Sequence, residues 1–301
     1  MRATRAATST RIAMVGAGRA ATGLAGALKR RGYRITGFFA RRRGSAVRAA
    51  AAIGLRGGVA GDLAALVRDA DIVLLCVPDA EIPRVADALS RLPAPGVRGK
   101  VVMHTSGAVG ASAIASLRQA GARVGCLHPL VSFPPGDAAT FDLEGVAFAI
   151  GGDPAALRAG RALAKGVGGL PLAIADRDRA AYHLAATMVA SGTAALLDVG
   201  IEIARRRLGL SRARAGAALT TLLASVLRNV KQDGASKGLT GPVSRGDIGT
   251  VGRHLASLRK EDSSVRELYR LLSLRAIEMS VADGRLGSST AMKLRKKLAH
   301  D

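Results

Sequence analysis

The apolar run Arg11-Ile-Ala-Met-Val15 breaks at Gly16-x-Gly18-x-x-Ala21 and resumes with helical spacing through Leu24 and Leu28. This succession of strand, tight turn and helix constrains the fold more than any other feature of the chain. Gly16 permits the sharp turn, Gly18 lets backbone approach a bound anion, and small Ala21 lets the helix pack close to the strand. The first N–H groups of that helix then face the anion. Gly16, Ala17, Gly18, Arg19 and Ala20 are therefore the candidate phosphate-binding segment. A second apolar run, residues 34–40, follows at the spacing of a compact strand-helix-strand unit, so the chain is expected to open with a dinucleotide-binding α/β domain.

In such units a carboxylate commonly ends the second strand and accepts hydrogen bonds from the adenosine ribose. Here Ala40 holds that position and Arg41, Arg42, Arg43 and Ser45 follow. These are donors suited to a 2′-phosphate, Arg41, Arg42 and Ser45 foremost, which points to NADP rather than NAD. A hydrogen bond to a charged group contributes roughly 1.5–3 kcal/mol, so one good arginine-phosphate contact gives about a ten- to hundredfold preference.

At 301 residues the chain is long enough for two cores. Hydrophobic residues make up 49% and charged residues 22%. No apolar run reaches the roughly eighteen residues of a membrane span, and no signal-peptide core follows the basic opening of residues 1–10. That opening is read as an N-terminal extension of a soluble, cytoplasmic protein. The net charge of +23 invites a polyanion partner, but aromatics are only 3%, Trp is absent, and the basic residues are spread along the chain. No specific nucleic-acid binding is expected, and no membrane partner. Cys76 and Cys126 lie in apolar strand-like runs and read as small buried hydrophobes; no metal-ligand spacing is present.

Further strands are expected over residues 70–77, 100–104, 123–128, 145–150 and 170–174, with helices over 45–53, 62–69, 80–89 and 154–166. From Asp176 the pattern becomes helical, over 179–208, 211–233 and 261–282, with a glycine-rich stretch at 234–252. The continuous apolar run 70–77 reads as a central parallel strand. It delivers Val77, Pro78 and Asp79 to the carboxyl edge of the sheet, beside the nicotinamide end of a dinucleotide. Strand ends at His104-Thr105-Ser106 and His128 reach the same edge.

On the long helix His183, Thr187 and Ser191 recur every four residues and share one face of an otherwise apolar segment. That line either finds structural partners or faces a cleft between the two domains, where an imidazole can serve as proton donor. In the segment 239–248 Gly241-Pro242 forces a turn, Asp247 can cap the following helix, and Arg245 can grip a carboxylate with two parallel hydrogen bonds.

The chain resembles the 6-phosphogluconate dehydrogenase-like superfamily and, more narrowly, the bacterial Rossmann-like family with a C-terminal domain of unknown function. The matching motifs are Gly16-Ala-Gly-Arg19, Cys76-Val-Pro-Asp79, His104-Thr-Ser-Gly107, Leu127-His-Pro-Leu130 with Ser132-Phe133, Tyr182-His183, and Leu239-Thr-Gly-Pro-Val-Ser-Arg-Gly-Asp247. The resemblance implies an α/β Rossmann domain with a mainly parallel doubly wound sheet followed by an all-α domain, NADP binding, a homodimer built through the helical domain, and a reductase. Some members are associated with ketopantoate reduction. The expected organisation is an extension over 1–10, a Rossmann domain over 11–175 and a helical substrate and dimerisation domain over 176–301. His183 or His128 would supply a proton to a small carbonyl substrate, Ser106 would orient it, and Arg245 would hold its carboxylate, with His104, Thr187 and Ser191 nearby. The alternatives are an imine reductase of the pyrroline-carboxylate type and a non-catalytic NADP-binding sensor or scaffold. Related dehydrogenases carry a lysine and, four residues on, an asparagine at the start of the long helix, where this chain offers His183 and Thr187.

Overall fold

In the computed structural model, which describes residues 9–299, the first apolar run forms β1 (Arg11–Val15) and feeds α1 (Arg19–Arg30). There follow β2 (Arg34–Phe39), α2 (Arg43–Ala52), α3 (Leu63–Arg68), β3 (Ile72–Leu75) and α4 (Ile82–Ser90). Next come β4 (Val101–His104), α5 (Ala115–Gln119), β5 (Arg123–Pro129), β6 (Ala147–Gly152), α6 (Pro154–Gly166) and β7 (Leu170–Ala173). The expected N-terminal extension lies outside the described residues, apart from Ser9 and Thr10.

The seven strands form one sheet in the order β2-β1-β3-β4-β5-β6-β7, parallel except where β6 runs against β5. Alternate residues explain why the strands read as continuous apolar runs. Met14, Leu74, Met103 and Leu127 bury on one face, and Val15, Val73, Val102 and Val124 on the other. Each large side chain buried this way contributes about 1.5–3 kcal/mol. Because β1 sits between β2 and β3, the connections leaving β1 and β3 diverge at their carboxyl ends and open the crevice in which such sheets bind ligands.

Two glycines of α1 let it pack tightly on the segment after β5. A Cβ on Gly23 would lie 2.4 Å from the Phe133 ring, and one on Gly26 would lie 2.2 Å from the Ala139 carbonyl oxygen. Arg30 closes the same contact by donating to the carbonyls of Ala139 and Phe141.

The chain divides into two compact units between Ala190 and Ser191, inside the long helix α7 (Arg179–Leu208). The second unit holds the rest of α7, α8 (Arg212–Gly238), α9 (Ile248–Leu258), α10 (Ser263–Ala282) and α11 (Ser288–Ala299). Gly234, at φ +81°, breaks the helical backbone of α8 where the glycine-rich stretch begins, and a short second helical segment runs on to Gly238. Asp247 caps α9 as its position suggests, accepting from the Thr250 backbone N–H at 2.9 Å. Val251, Leu255, Ile277, Leu294 and Leu298 form a small core of α9, α10 and α11. In contrast Leu196, Leu208, Leu222 and Leu227 on α7 and α8 are exposed.

One expectation is corrected. The segment Asp176–Leu208 is long and apolar enough to cross a membrane by length and composition, and none of its apolar window is buried within the chain. Scattered polar residues interrupt the apolar run, but its mean hydropathy stays at 1.6, high enough for a span.

Candidate functional site

Gly16 turns the chain out of β1 at φ +108°, and a Cβ there would lie 2.1 Å from the Cys76 carbonyl oxygen. No other residue fits. Gly18 is the N-cap of α1, supplies no side-chain cap, and has open space where a Cβ would point. The first turn of α1 contains no acidic residue, so its positive end is unopposed by a local carboxylate. These features suit a phosphate held by backbone. The turn opens on a cavity of about 610 Å³ that Ala17, Arg41, Arg42, Ser45, Val77 and Pro78 also line. The cavity therefore has glycine backbone at one wall and guanidinium groups at another. Arg84 lines the cavity too, paired with Glu81 at 2.8 Å, and the sequence reading did not single it out. Arg43 instead lines a neighbouring 260 Å³ pocket.

A second group of side chains gathers where β4 and β5 end. His128 Nδ1 lies 2.8 Å from the Tyr182 hydroxyl, and the two rings meet edge to face. His183 sits across from His128 with ring centroids 6.3 Å apart. Gly107 forms the floor: a Cβ there would come within 2.9 Å of both imidazoles. Burial, with the neighbouring charges of His183 and Arg179 adding to it, lowers His128 to about 4, so it is neutral at ordinary pH. Burial likewise lowers His104 and raises Tyr182. His104 is fully buried, and its Nε2 donates to the Gly110 carbonyl at 2.9 Å. Its Nδ1 is then the unprotonated nitrogen of a neutral ring.

The structure places the other sequence-derived candidates as follows. The Ser106 hydroxyl accepts from the Ala108 and Val109 backbone N–H groups, at 3.1 and 3.3 Å, and so shapes the loop around Gly107. Asp79 is exposed and outside the cavity lining, but its charge reaches His104 and His128. Arg19 points its guanidinium at the Phe133 carbonyl, 3.4 Å away, and neither it nor Ala20 lines the cavity. Thr187 and Ser191 are exposed farther along α7. Arg245 is exposed on its turn, with no side-chain hydrogen bond among the described residues. Among those residues no group of three His, Cys, Asp or Glu is arranged to hold a metal ion. Both cysteines are free thiols, with burial raising Cys76 to about 12 and Cys126 to about 11. Neither is a thiolate at ordinary pH.

Sequence alone does not mark Tyr182 or Arg179 individually as site residues. Tyr182 lies one position off the His183 line, and only the packing of α7 on the sheet edge turns it toward His128.

A glycine turn at the switch point of a mostly parallel sheet defines a Rossmann-like domain, and residues 3–129 match the model of the Rossmann-like domain. Residues 146–276 match the domain of unknown function DUF2520, so the chain joins a Rossmann-like domain to a C-terminal DUF2520 domain. No curated protein matches the chain. Among solved structures, protein TM1727 from Thermotoga maritima is 24% identical, with a TM-score of 0.70 over 90% of this chain and 99% of that one. A Bacteroides fragilis protein assigned as an NADP oxidoreductase, BF3122, is 23% identical, with a TM-score of 0.69 over 90% and 98%. An imine reductase from Pseudomonas sp. is 18% identical, with a TM-score of 0.63 over 95% and 99%. At these identities the likeness establishes a shared fold.

Proposed function

We propose that the protein is an NADPH-dependent oxidoreductase that reduces a small carbonyl substrate, a 2-oxo acid such as ketopantoate. The observation that carries this reading is the presence, at the carboxyl edge of one sheet, of both an anion-binding glycine turn and the Tyr182–His128 hydrogen bond. The fold shared with an NADP oxidoreductase and an imine reductase supports it. Gly16, Ala17, Gly18 and the first turn of α1 would hold the pyrophosphate, and Arg41, Arg42 and Ser45 would take the 2′-phosphate. NADPH, when bound, supplies hydride.

The chain's own residues manage the proton. Tyr182 gives it to the substrate oxygen, and neutral His128, with its proton on Nδ1, donates to the same phenol oxygen and leaves the hydroxyl hydrogen free to face substrate. Ser106 and Gly107 set the floor that brings His128 and His183 together. Thr187 and Ser191 continue the polar line along α7, and Arg245, on the 239–248 turn, is the sequence-derived candidate for the substrate carboxylate. A preformed iminium cation fits less well than a carbonyl with a carboxylate, because Arg179 already places positive charge beside this group. The exposed leucines of α7 and α8 are covered by a second copy of the chain in a homodimer, rather than by lipid.

A panel of 2-oxo acids, simple ketones and cyclic imines, followed by NADPH consumption, tests the reading. The fastest turnover is expected with 2-oxo acids, and Arg245→Ala raises KM for them about tenfold while leaving a neutral ketone unaffected. Turnover confined to imines, with KM unchanged by Arg245→Ala, contradicts it.

A further inference from the structure

Arg179, in the first turn of α7, combines three features that each cost stability. Its side chain is only 1% exposed, its Nε, Nη1 and Nη2 atoms are all buried without a hydrogen-bond partner, and it places a cation at the positive end of a helix. The acids next to it in sequence are engaged elsewhere. Asp178 pairs with Arg177, and Asp176 accepts from the Ala111 and Ser112 backbone N–H groups, both at 3.1 Å. Gly151 makes the space, since a Cβ there would lie 3.0 Å from Nη2.

A charge held at such cost acts on its neighbours through a medium that screens poorly. The groups it reaches are His104 on β4, Cys126 and His128 on β5, and Asp176 and Tyr182 on either side of it in the chain. It opposes protonation of both histidines, where Asp79, and at His104 also Asp176, pull the other way and His183 adds to the opposition at His128. At Tyr182 it favours the anion against burial. Tyr182 stands three residues after Arg179 and so on the same side of α7.

We propose that Arg179 is a positioning residue for proton transfer, the buried charge against which the Tyr182 phenolate forms. This rests on the reductase reading above. Were NADPH bound to supply hydride to the carbonyl carbon, the displaced π electron pair would move onto the substrate oxygen. That oxygen takes the Tyr182 proton, the O–H bond breaks, and its electron pair stays on the phenol oxygen. The phenolate is then held by the His128 Nδ1–H and by the charge of Arg179, until solvent returns the proton after product leaves.

Tyr182 ionisation is measured by ultraviolet difference titration of the full-length protein against Tyr182→Phe, which removes the signal of Tyr33 and Tyr269. Arg179→Met is expected to raise the Tyr182 midpoint by about one pH unit or more, a tenfold loss of phenolate at fixed pH. Arg179→Lys restores at least half of that shift. In Arg179→Met kcat falls about tenfold with KM within twofold, and the alkaline limb of its pH profile moves upward. Gly151→Ala keeps the charge but displaces Nη2, so an intermediate shift is expected; it also serves if Arg179→Met does not fold. A Tyr182 midpoint unchanged in Arg179→Met, or in Gly151→Ala if Met does not fold, overturns the proposal. If the midpoint shifts as expected but no variant, nor the parent, consumes NADPH with any substrate, the coupling of Arg179 to Tyr182 stands and the reductase reading falls.

Discussion

The molecule contains two histidine-tyrosine pairs of nearly the same geometry. His128 and Tyr182 meet at 2.8 Å with ring planes at 86°, and His254 and Tyr269 meet at 3.0 Å with planes at 81°. The first joins a strand end to the start of a helix, over a glycine floor, beside a second histidine and near a buried, unpaired guanidinium. The second bridges α9 and α10 beside a small aliphatic core. A tyrosine hydroxyl bonded to an imidazole is thus a common way to satisfy a half-buried phenol. What makes one of them a candidate for chemistry is its surroundings.

Exchanging the two tyrosines is the strongest way to break that contrast. Tyr182→Phe is expected to lower kcat by about 100-fold or more, the usual contribution of a positioned acid, with NADPH affinity unchanged. Tyr269→Phe should leave kcat within about twofold and cost on the order of 1 kcal/mol of stability, read by denaturant unfolding. Equal effects of the two substitutions on turnover would erase the distinction.

The next effect concerns pH. His128 titrates near 4 in the folded chain and near 6.5 when unfolded, so the unfolded state binds the proton first. Its contribution to stability is complete above pH about 6.5 and is lost as pH falls toward 4. For a partly exposed ring the loss is on the order of 2 kcal/mol. Unfolding curves at several pH values should show this slope in the parent and a smaller one in His128→Gln, whereas His254→Gln keeps it. A smaller change is expected for Gly107→Ala, whose Cβ would press on both imidazoles. Its kcat should drop about tenfold, with NADPH affinity within twofold. The nucleotide end is separable from all of these: Arg41→Ala or Arg42→Ala is expected to weaken NADPH about tenfold and leave NADH unaffected, as titrations with each nucleotide would record.

Much of the sheet unit was legible because its strands are buried on both faces and read as unbroken apolar runs. Pro154 at the first position of α6 also marks that helix without ambiguity. The helix α11 is not apparent in the sequence: its buried Ala291, Leu294 and Leu298 are spaced for one face but are diluted by seven basic and hydroxyl residues, from Ser288 to Lys297, that mask the stripe. The histidines at the ends of β4 and β5 could be placed from sequence because strand ends define the sheet edge. The polar line on α7 could be seen but not located in space. A helix rises about 1.5 Å per residue, so Thr187 lies about 6 Å and Ser191 about 12 Å beyond His183 along the axis. Only His183 and its neighbour Tyr182 reach the edge cluster. Arg179 had no sequence signal, since arginine is abundant and its burial depends on the space left by Gly151, 28 residues earlier.

The central claim, a dinucleotide site that selects NADPH, is tested most directly by fluorescence titration of the purified protein with NADPH and with NADH, each at low and high salt. Saturable NADPH binding about ten- to hundredfold tighter than NADH, and persisting at high salt, is the expected result. Binding that does not saturate, or that disappears with salt for both nucleotides alike, would mean that the +23 net charge alone attracts them, and would contradict the claim.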